Sequence, residues 1–229
     1  MEKQSLTQFD EKQKMVDKNI EDYIDKSRFI KLALTEPKMR HLIENELEKG
    51  GNLCPEPVRS HDVDIAYINE SLERYFKVYN LDLNPDFQRG HIWSQEQQIK
   101  YIESLVKGFV GLAARTITFN NPSFGRDKDK HSDLDQMLCI DGLQRLNAIM
   151  GFVNKKFTIF EKELGGVDLN YFNKSSFSLQ TQTIKFQIMN MQTKLEVLNY
   201  YINFNSGGTP HTENEINRVK SMRDELLHK

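Results

Sequence analysis

The sequence predicts an α+β fold, a small mixed sheet embedded in helices. Three observations carry that prediction. Apolar residues recur at helical spacing along most of the chain, only a few short runs read as strands, and some strands pass straight into helices. With 229 residues, the chain can bury a sizeable core without a disulfide or metal staple.

The elements follow in order. Residues 1–60 are rich in Lys, Glu, Asp and Gln, with Ile20, Tyr23, Ile24, Leu42, Ile43 and Leu47 at helical spacing. They read as a polar helical N-terminal extension, closed by Gly50-Gly51-Asn52 and the stiff Cys54-Pro55-Glu56-Pro57. The folded domain is then expected over 61–229. A helix over about 62–77 places Ile65, Ile68, Leu72, Tyr75 and Phe76 on one face, and an extended piece runs from Val78 to Leu83. Ser94 and Gln97 form a capping box for a helix that turns Ile99, Ile102, Leu105 and Val106 inward and stops at Gly108. Strands are expected over Arg115–Phe119, Gln136–Ile140, Lys156–Phe160 and Thr183–Ile188, with an exposed loop at 121–135. Helices are expected over Leu143–Val153, about 192–203 and, behind a Thr212/Glu215 capping box, about 213–227.

Composition excludes several function classes. Basic and acidic residues number 31 and 33, so the net charge of −2 does not suit a protein that coats nucleic acid non-specifically, although a local basic groove remains compatible. Cys54 and Cys139 lie too far apart for paired zinc ligands and are too few for a disulfide framework. No run approaches the roughly 18 apolar residues of a membrane span. The opening MEKQSLTQFDEKQK lacks the apolar core of a secretory signal, so the expected compartment is the cytoplasm.

The sharpest local motif is Cys139-Ile140-Asp141-Gly142-Leu143-Gln144-Arg145-Leu146, where a strand ends in an acid and a glycine and a helix starts at once. First-turn N–H groups and the helix dipole suit an anion. Gly142 would let a ligand approach the backbone, and Arg145 would fork onto a phosphate. Asp141 would hold a metal ion or a hydroxyl. The competing reading is that Asp141 caps the helix and Arg145 makes a surface salt bridge. A second motif, Pro85-Asp86-Phe87-Gln88-Arg89-Gly90-His91-Ile92-Trp93-Ser94, puts Gln88 and Arg89 in a loop before a capped helix. Trp93 reads as a core anchor, and His91 as a candidate acid or base without a visible partner. A third, Asn203-Phe204-Asn205-Ser206-Gly207-Gly208, is either an anion nest that includes Asn205 or an ordinary helix connector. No Gly-rich Lys-Ser/Thr phosphate loop, His-Glu-x-x-His motif or nucleophile elbow occurs.

Taken in order, Pro-x-Phe-Gln-Arg-x-x-x-Trp, a capped helix, Asp-Gly-x-Gln-Arg-Leu and Phe-x-Asn-x-Gly-Gly resemble the N-terminal domain of GmrSD-type restriction proteins, of the ParB/sulfiredoxin-like superfamily. The resemblance covers about residues 75–220. It implies a ParB-like core behind the helical extension, with Gly142–Ala148 similar to the box that contacts nucleotide phosphates. It carries a nucleotide-binding role to Gln88, Arg89, Gly142 and Arg145, and a catalytic one to Asp141, Gln144 and Arg145. Leu143 stands where relatives carry a Gln. The sulfiredoxin cysteine has no counterpart, and no HNH-like nuclease pattern occurs in these 229 residues.

Two expectations follow from the resemblance. In the first, the chain binds an NTP with Mg²⁺ at Asp141 in a DNA-restriction or DNA-processing system, with NTP hydrolysis or DNA nicking as the outcome. In the second, the same pocket binds a nucleotide or a partner protein as a regulatory module without turnover. There the N-terminal helices would be the surface for a partner or a second copy. A sequence-specific DNA reader is disfavoured, because Arg218, Lys220 and Arg223 are interleaved with acids and read as a solvated face.

Overall fold

A computed structural model describes residues 57–88, 93–124, 132–174, 182–206 and 213–227. Residues 1–56, and with them most of the expected extension, lie outside the described residues, as does Thr212 of the second capping box. The strands are β1 (Arg59–Asp64), β2 (Thr116–Asn120), β3 (Leu138–Asp141) and β4 (Thr183–Met189). They form one mixed sheet in the order β1-β4-β2-β3. The β4–β2 pair is parallel, with Ile117 opposite Phe186, while β1–β4 and β2–β3 are antiparallel. The α+β class read from the sequence is the class of the molecule.

Helices cover both faces of the sheet. Helix α1 (Ile68–Tyr79), α2 (Gln95–Val106) and α3 (Leu143–Val153) share a core with the strand residues Ile117, Phe119, Cys139, Ile184, Phe186 and Ile188. Short helices α4 (Glu161–Leu164) and α5 (Leu169–Lys174) follow α3. On the other face, Leu138, Ile140 and Met189 meet α6 (Lys194–Ser206) and α7 (Glu213–Leu227) in a second apolar cluster that takes in Phe87, Val197, Leu198 and Val219. The alternation along β3 explains the split, since Cys139 points to one core and its two neighbours to the other. At the centre, Phe119 and Phe186 meet edge-on with centroids 5.0 Å apart, and Tyr75 lies 5.6 Å from Phe119. Burying each such ring contributes about 1.5–3 kcal/mol.

Where β2 and β4 end together, the fully buried Asn120 clips the chain. Its Nδ2 donates to Met191 O at 3.0 Å and its Oδ1 accepts from Met191 N at 2.7 Å. Both halves of the amide are satisfied, which is the condition for burying it at low cost.

The structure corrects several element expectations. Residues 59–64 form β1, not the start of a helix, and the helix proper begins at Ile68 and continues to Tyr79. Only Val63 of that strand is buried, so an edge strand of polar residues left almost no alternating signal. Phe76 is largely exposed, because Ile68, Leu72 and Tyr75 already define the buried stripe and Phe76 stands about 100° from it. Lys156–Phe160 is not a strand. Ile159 makes a single bridge to Val167, and left-handed backbone at Lys155 and Phe160 breaks the extended run on both sides. Within the expected loop at 121–135, Asn121 and Pro122 are buried, and residues 125–131 lie outside the described residues. The Ser94 capping box is present in both directions, with Ser94 N donating to Gln97 Oε1 at 2.8 Å.

Candidate functional site

Strand β3 delivers Asp141 to one corner of the sheet, Gly142 turns the chain with φ 98° and ψ 9°, and α3 starts at Leu143. The turn needs a glycine for two reasons. A positive φ is costly for other residues, and a Cβ at this position would lie 2.6 Å from Ile117 Cδ1 and 3.2 Å from Ile117 Cα. The space expected for a ligand beside the Gly142 α-carbon is therefore filled by β2. Leu146 N is the first to bond within α3, to Gly142 O at 2.8 Å.

Arg145 folds back over this turn. Its Nη2 donates to Asp141 Oδ2 at 2.5 Å and to Thr116 O at 3.0 Å, and the two side chains are each about four-fifths buried. The pair is thus a tight i,i+4 ion pair within the corner, more sheltered than the surface salt bridge of the competing reading. Asp141 does not cap α3, whose N-cap Gly142 has no side-chain bond. Both bonds of Arg145 use one nitrogen, and its Nε is buried with no partner among the described residues.

The Gln-Arg loop meets the same corner. Gln88 Nε2 donates to Cys139 O at 2.5 Å, and Trp93 N donates to Gln144 Oε1 at 3.1 Å. Both ends of the Gln88–Trp93 segment are therefore pinned to the strand–turn–helix unit, one on β3 and one on α3. Arg89 and His91, between these pins, lie outside the described residues. Asn205 is not brought here: its Nδ2 bonds Tyr201 O within α6 at 2.8 Å, and no hydrogen bond among the described residues ties it to the corner. Gly207 and Gly208 lie outside the described residues. Cys139 is fully buried, and burial, followed by the charge of Asp141, pushes its thiol up to about 12, so it supplies no thiolate at neutral pH.

Three residues of the region escaped the sequence reading. Arg218 of α7 is exposed yet engaged: its Nη1 donates to Asp86 O at 2.7 Å and its Nη2 to Phe87 O at 2.9 Å, while Lys194 Nζ reaches Asp86 Oδ2 at 2.5 Å. Together with the burial of Phe87, these contacts fix the loop that carries Gln88. Tyr101 of α2 packs against Trp93 with ring centroids 5.5 Å apart, and Arg115 immediately precedes β2. None carries a local signal, because each acts across more than 100 residues or sits inside an ordinary helix or strand pattern.

As a metal site the corner is sparse. Among the described residues no group of three His, Cys, Asp or Glu side chains could hold an ion. Asp141, with one oxygen engaged by Arg145, fits a Mg²⁺ ion only as a single carboxylate contact to a cation carried in on phosphate oxygens.

The family model for the GmrSD restriction endonuclease, N-terminal domain, matches residues 68–178. Residues 68–178 are a GmrSD-type N-terminal domain. No curated protein and no solved structure matches the chain. The GmrSD-type domain contains both arms of the corner, the Gln88–Trp93 segment and the Asp141–Arg145 turn, whereas Asn205 and Arg218 lie beyond it. A domain of this family indicates a component of a restriction endonuclease system. Among the described residues no helix is long and apolar enough to cross a membrane.

Proposed function

We propose that the chain is the nucleotide-binding part of a DNA-restriction system and that the phosphates of an NTP dock at the Asp141–Arg145 corner. The observation that supports this most is the pinning of both ends of the Gln88–Trp93 segment to the strand–turn–helix unit. Arg89 follows Gln88 directly in the sequence. Two guanidinium groups and the first-turn N–H groups of α3 suit a polyphosphate. Asp141 would contact a Mg²⁺ ion bound to that polyphosphate, and the ion would supply charge neutralisation. DNA is the macromolecule that a restriction system acts on.

The test uses purified protein with each NTP and Mg²⁺, comparing wild type, Arg145→Ala and Asp141→Ala for binding and phosphate release. Binding by wild type that weakens in the Arg145→Ala variant supports the reading. Equal behaviour of all three proteins refutes it.

A second reading, binding without turnover, is favoured by one feature. The acid of the corner is tied to Arg145 and the Gln144 carbonyl oxygen to the Trp93 backbone, so neither is poised to orient a water. Tight NTP binding with no phosphate release selects this regulatory form, and a mass change on adding a partner protein or DNA identifies what it regulates.

A further inference from the structure

The corner holds a second guanidinium that the family motifs do not include. Arg115 ends a short 3-10 turn, Ala113–Arg115, just before β2. That turn is held rigidly: Arg115 N bonds Gly111 O at 3.1 Å and Leu112 O at 3.0 Å, and Thr116 Oγ1 bonds Leu112 O at 2.8 Å. The carbonyls on either side of Arg115 are both taken by corner residues. Tyr101 Oη donates to Ala114 O at 2.9 Å, and Arg145 Nη2 donates to Thr116 O at 3.0 Å. Arg115 is thereby fixed between Tyr101 and Arg145.

Its side chain is unspent. Among the described residues no hydrogen bond or ion pair engages the Arg115 guanidinium, although the residue is partly buried and its Nε is fully so. The neighbouring Arg145 has the same unpartnered Nε. Leaving a buried charged donor unpaired is costly, and both cations act on the same Tyr101 hydroxyl. An anion relieves that cost for both at once, and Asp141 offsets only one of the two charges. Tyr101 senses both cations: burial pushes its hydroxyl up to about 12, while the charges of Arg145 and then Arg115 pull the other way.

We propose that Arg115 is a further phosphate contact of this site, gripping the polyphosphate together with Arg145 and giving the corner its preference for di- and triphosphates over monophosphates. The inference rests on the reading of the corner as a nucleotide site. The aromatic pair Trp93–Tyr101 lies beside it, and Trp93 is the only tryptophan, so its fluorescence reports on the corner.

The experiment titrates the full chain with ATP, GTP, CTP, UTP, the matching monophosphates and inorganic tripolyphosphate, each with Mg²⁺, following Trp93 fluorescence and calorimetric heat. It compares wild type, Arg115→Gln, Arg115→Lys, Arg145→Gln and, as a remote control, Arg74→Gln on the exposed face of α1. Arg115→Gln is expected to weaken triphosphate binding about 10- to 100-fold, the scale of one charge-assisted hydrogen bond. Monophosphate binding should change much less. Arg115→Lys should recover most of the affinity, and Arg74→Gln should match wild type. Unchanged triphosphate affinity in Arg115→Gln, with Arg145→Gln impaired, overturns the Arg115 assignment alone. Loss in Arg115→Gln with Arg145→Gln unaffected overturns the joint grip and the reading of the Asp141–Arg145 corner as the nucleotide site. Absence of binding to every probe by wild type overturns both readings.

Discussion

Gly142→Ala separates two roles that a glycine at this turn can have, namely making room for a ligand or making room for the protein itself. At φ 98° an alanine incurs the left-handed penalty, about 1–2 kcal/mol. Its Cβ would also meet Ile117 Cδ1 at 2.6 Å and Ile117 Cα at 3.2 Å, and the backbone contact cannot swing aside. Overpacking of that kind costs about 1–3 kcal/mol, so the sum is about 2–5 kcal/mol. For a domain of this size that lowers Tm by roughly 4–20 °C. Gly108→Ala is the matched control, since its φ of 79° carries the conformational penalty but nothing lies within 4 Å of the added Cβ. The assay is thermal and urea denaturation of both variants beside wild type, with the NTP titration repeated on each. Gly142→Ala should be the less stable of the two by about the overpacking cost, 1–3 kcal/mol. If the variants are equally stable, and Gly142→Ala selectively loses nucleotide binding, the close packing against Ile117 is refuted and the glycine serves the ligand.

Two further outcomes are expected. Arg218→Gln removes the donors to Asp86 O and Phe87 O, and should cost about 1–3 kcal/mol and speed amide hydrogen exchange at Phe87 and Gln88 more than in α1; unchanged exchange there would show that α7 does not hold the loop. His61, on β1, has its pKa lowered by burial and by Arg59 and Lys185 against the opposing pull of Asp62. The folded chain therefore binds this proton less readily than the unfolded one, so stability is full above about pH 6.5 and falls as pH drops below it. His61→Gln should flatten that stretch of a Tm-against-pH curve, and an identical slope in the variant would assign the acid-side loss to other groups.

Sequence periodicity was sufficient where one residue set faced one core. Helix α3 was legible to the residue because Leu146 and Ile149 repeat on the buried side and Gly142 punctuates its start, and α2 because its capping box is written in Ser94 and Gln97. Strand β1 was not, because an edge strand that buries only Val63 has no period to read. The site divides in the same way. Asp141 and Arg145 are four residues apart across a single turn, so the local sequence brings them within reach of each other. That Gln88 meets Cys139 and that Arg115 sits beside Arg145 depends on how α2, β2 and β3 stack, which no local pattern encodes.

That dependence on stacking sets a lower bound on the working unit. The family match ends at residue 178, yet β4 begins at Thr183 and lies between β1 and β2 in the sheet. Removing it would leave β2 without its parallel partner and take Ile184, Phe186 and Ile188 out of the core, uncovering the Phe119 ring. The loop that carries Gln88 depends on the same later elements, since Phe87 is buried among residues of α6 and α7 and Arg218 of α7 holds its carbonyl. The two motifs that make the corner, and the hydrogen bonds that pin them together, thus lie inside the matched segment, while β4 and the Arg218 clamp that support them lie outside it. A fragment cut to 68–178 would retain the motif residues but would lose the central strand and the clamp. Binding measured on such a fragment would therefore not report on the corner, and a piece on which these predictions are judged must keep β4, α6 and α7.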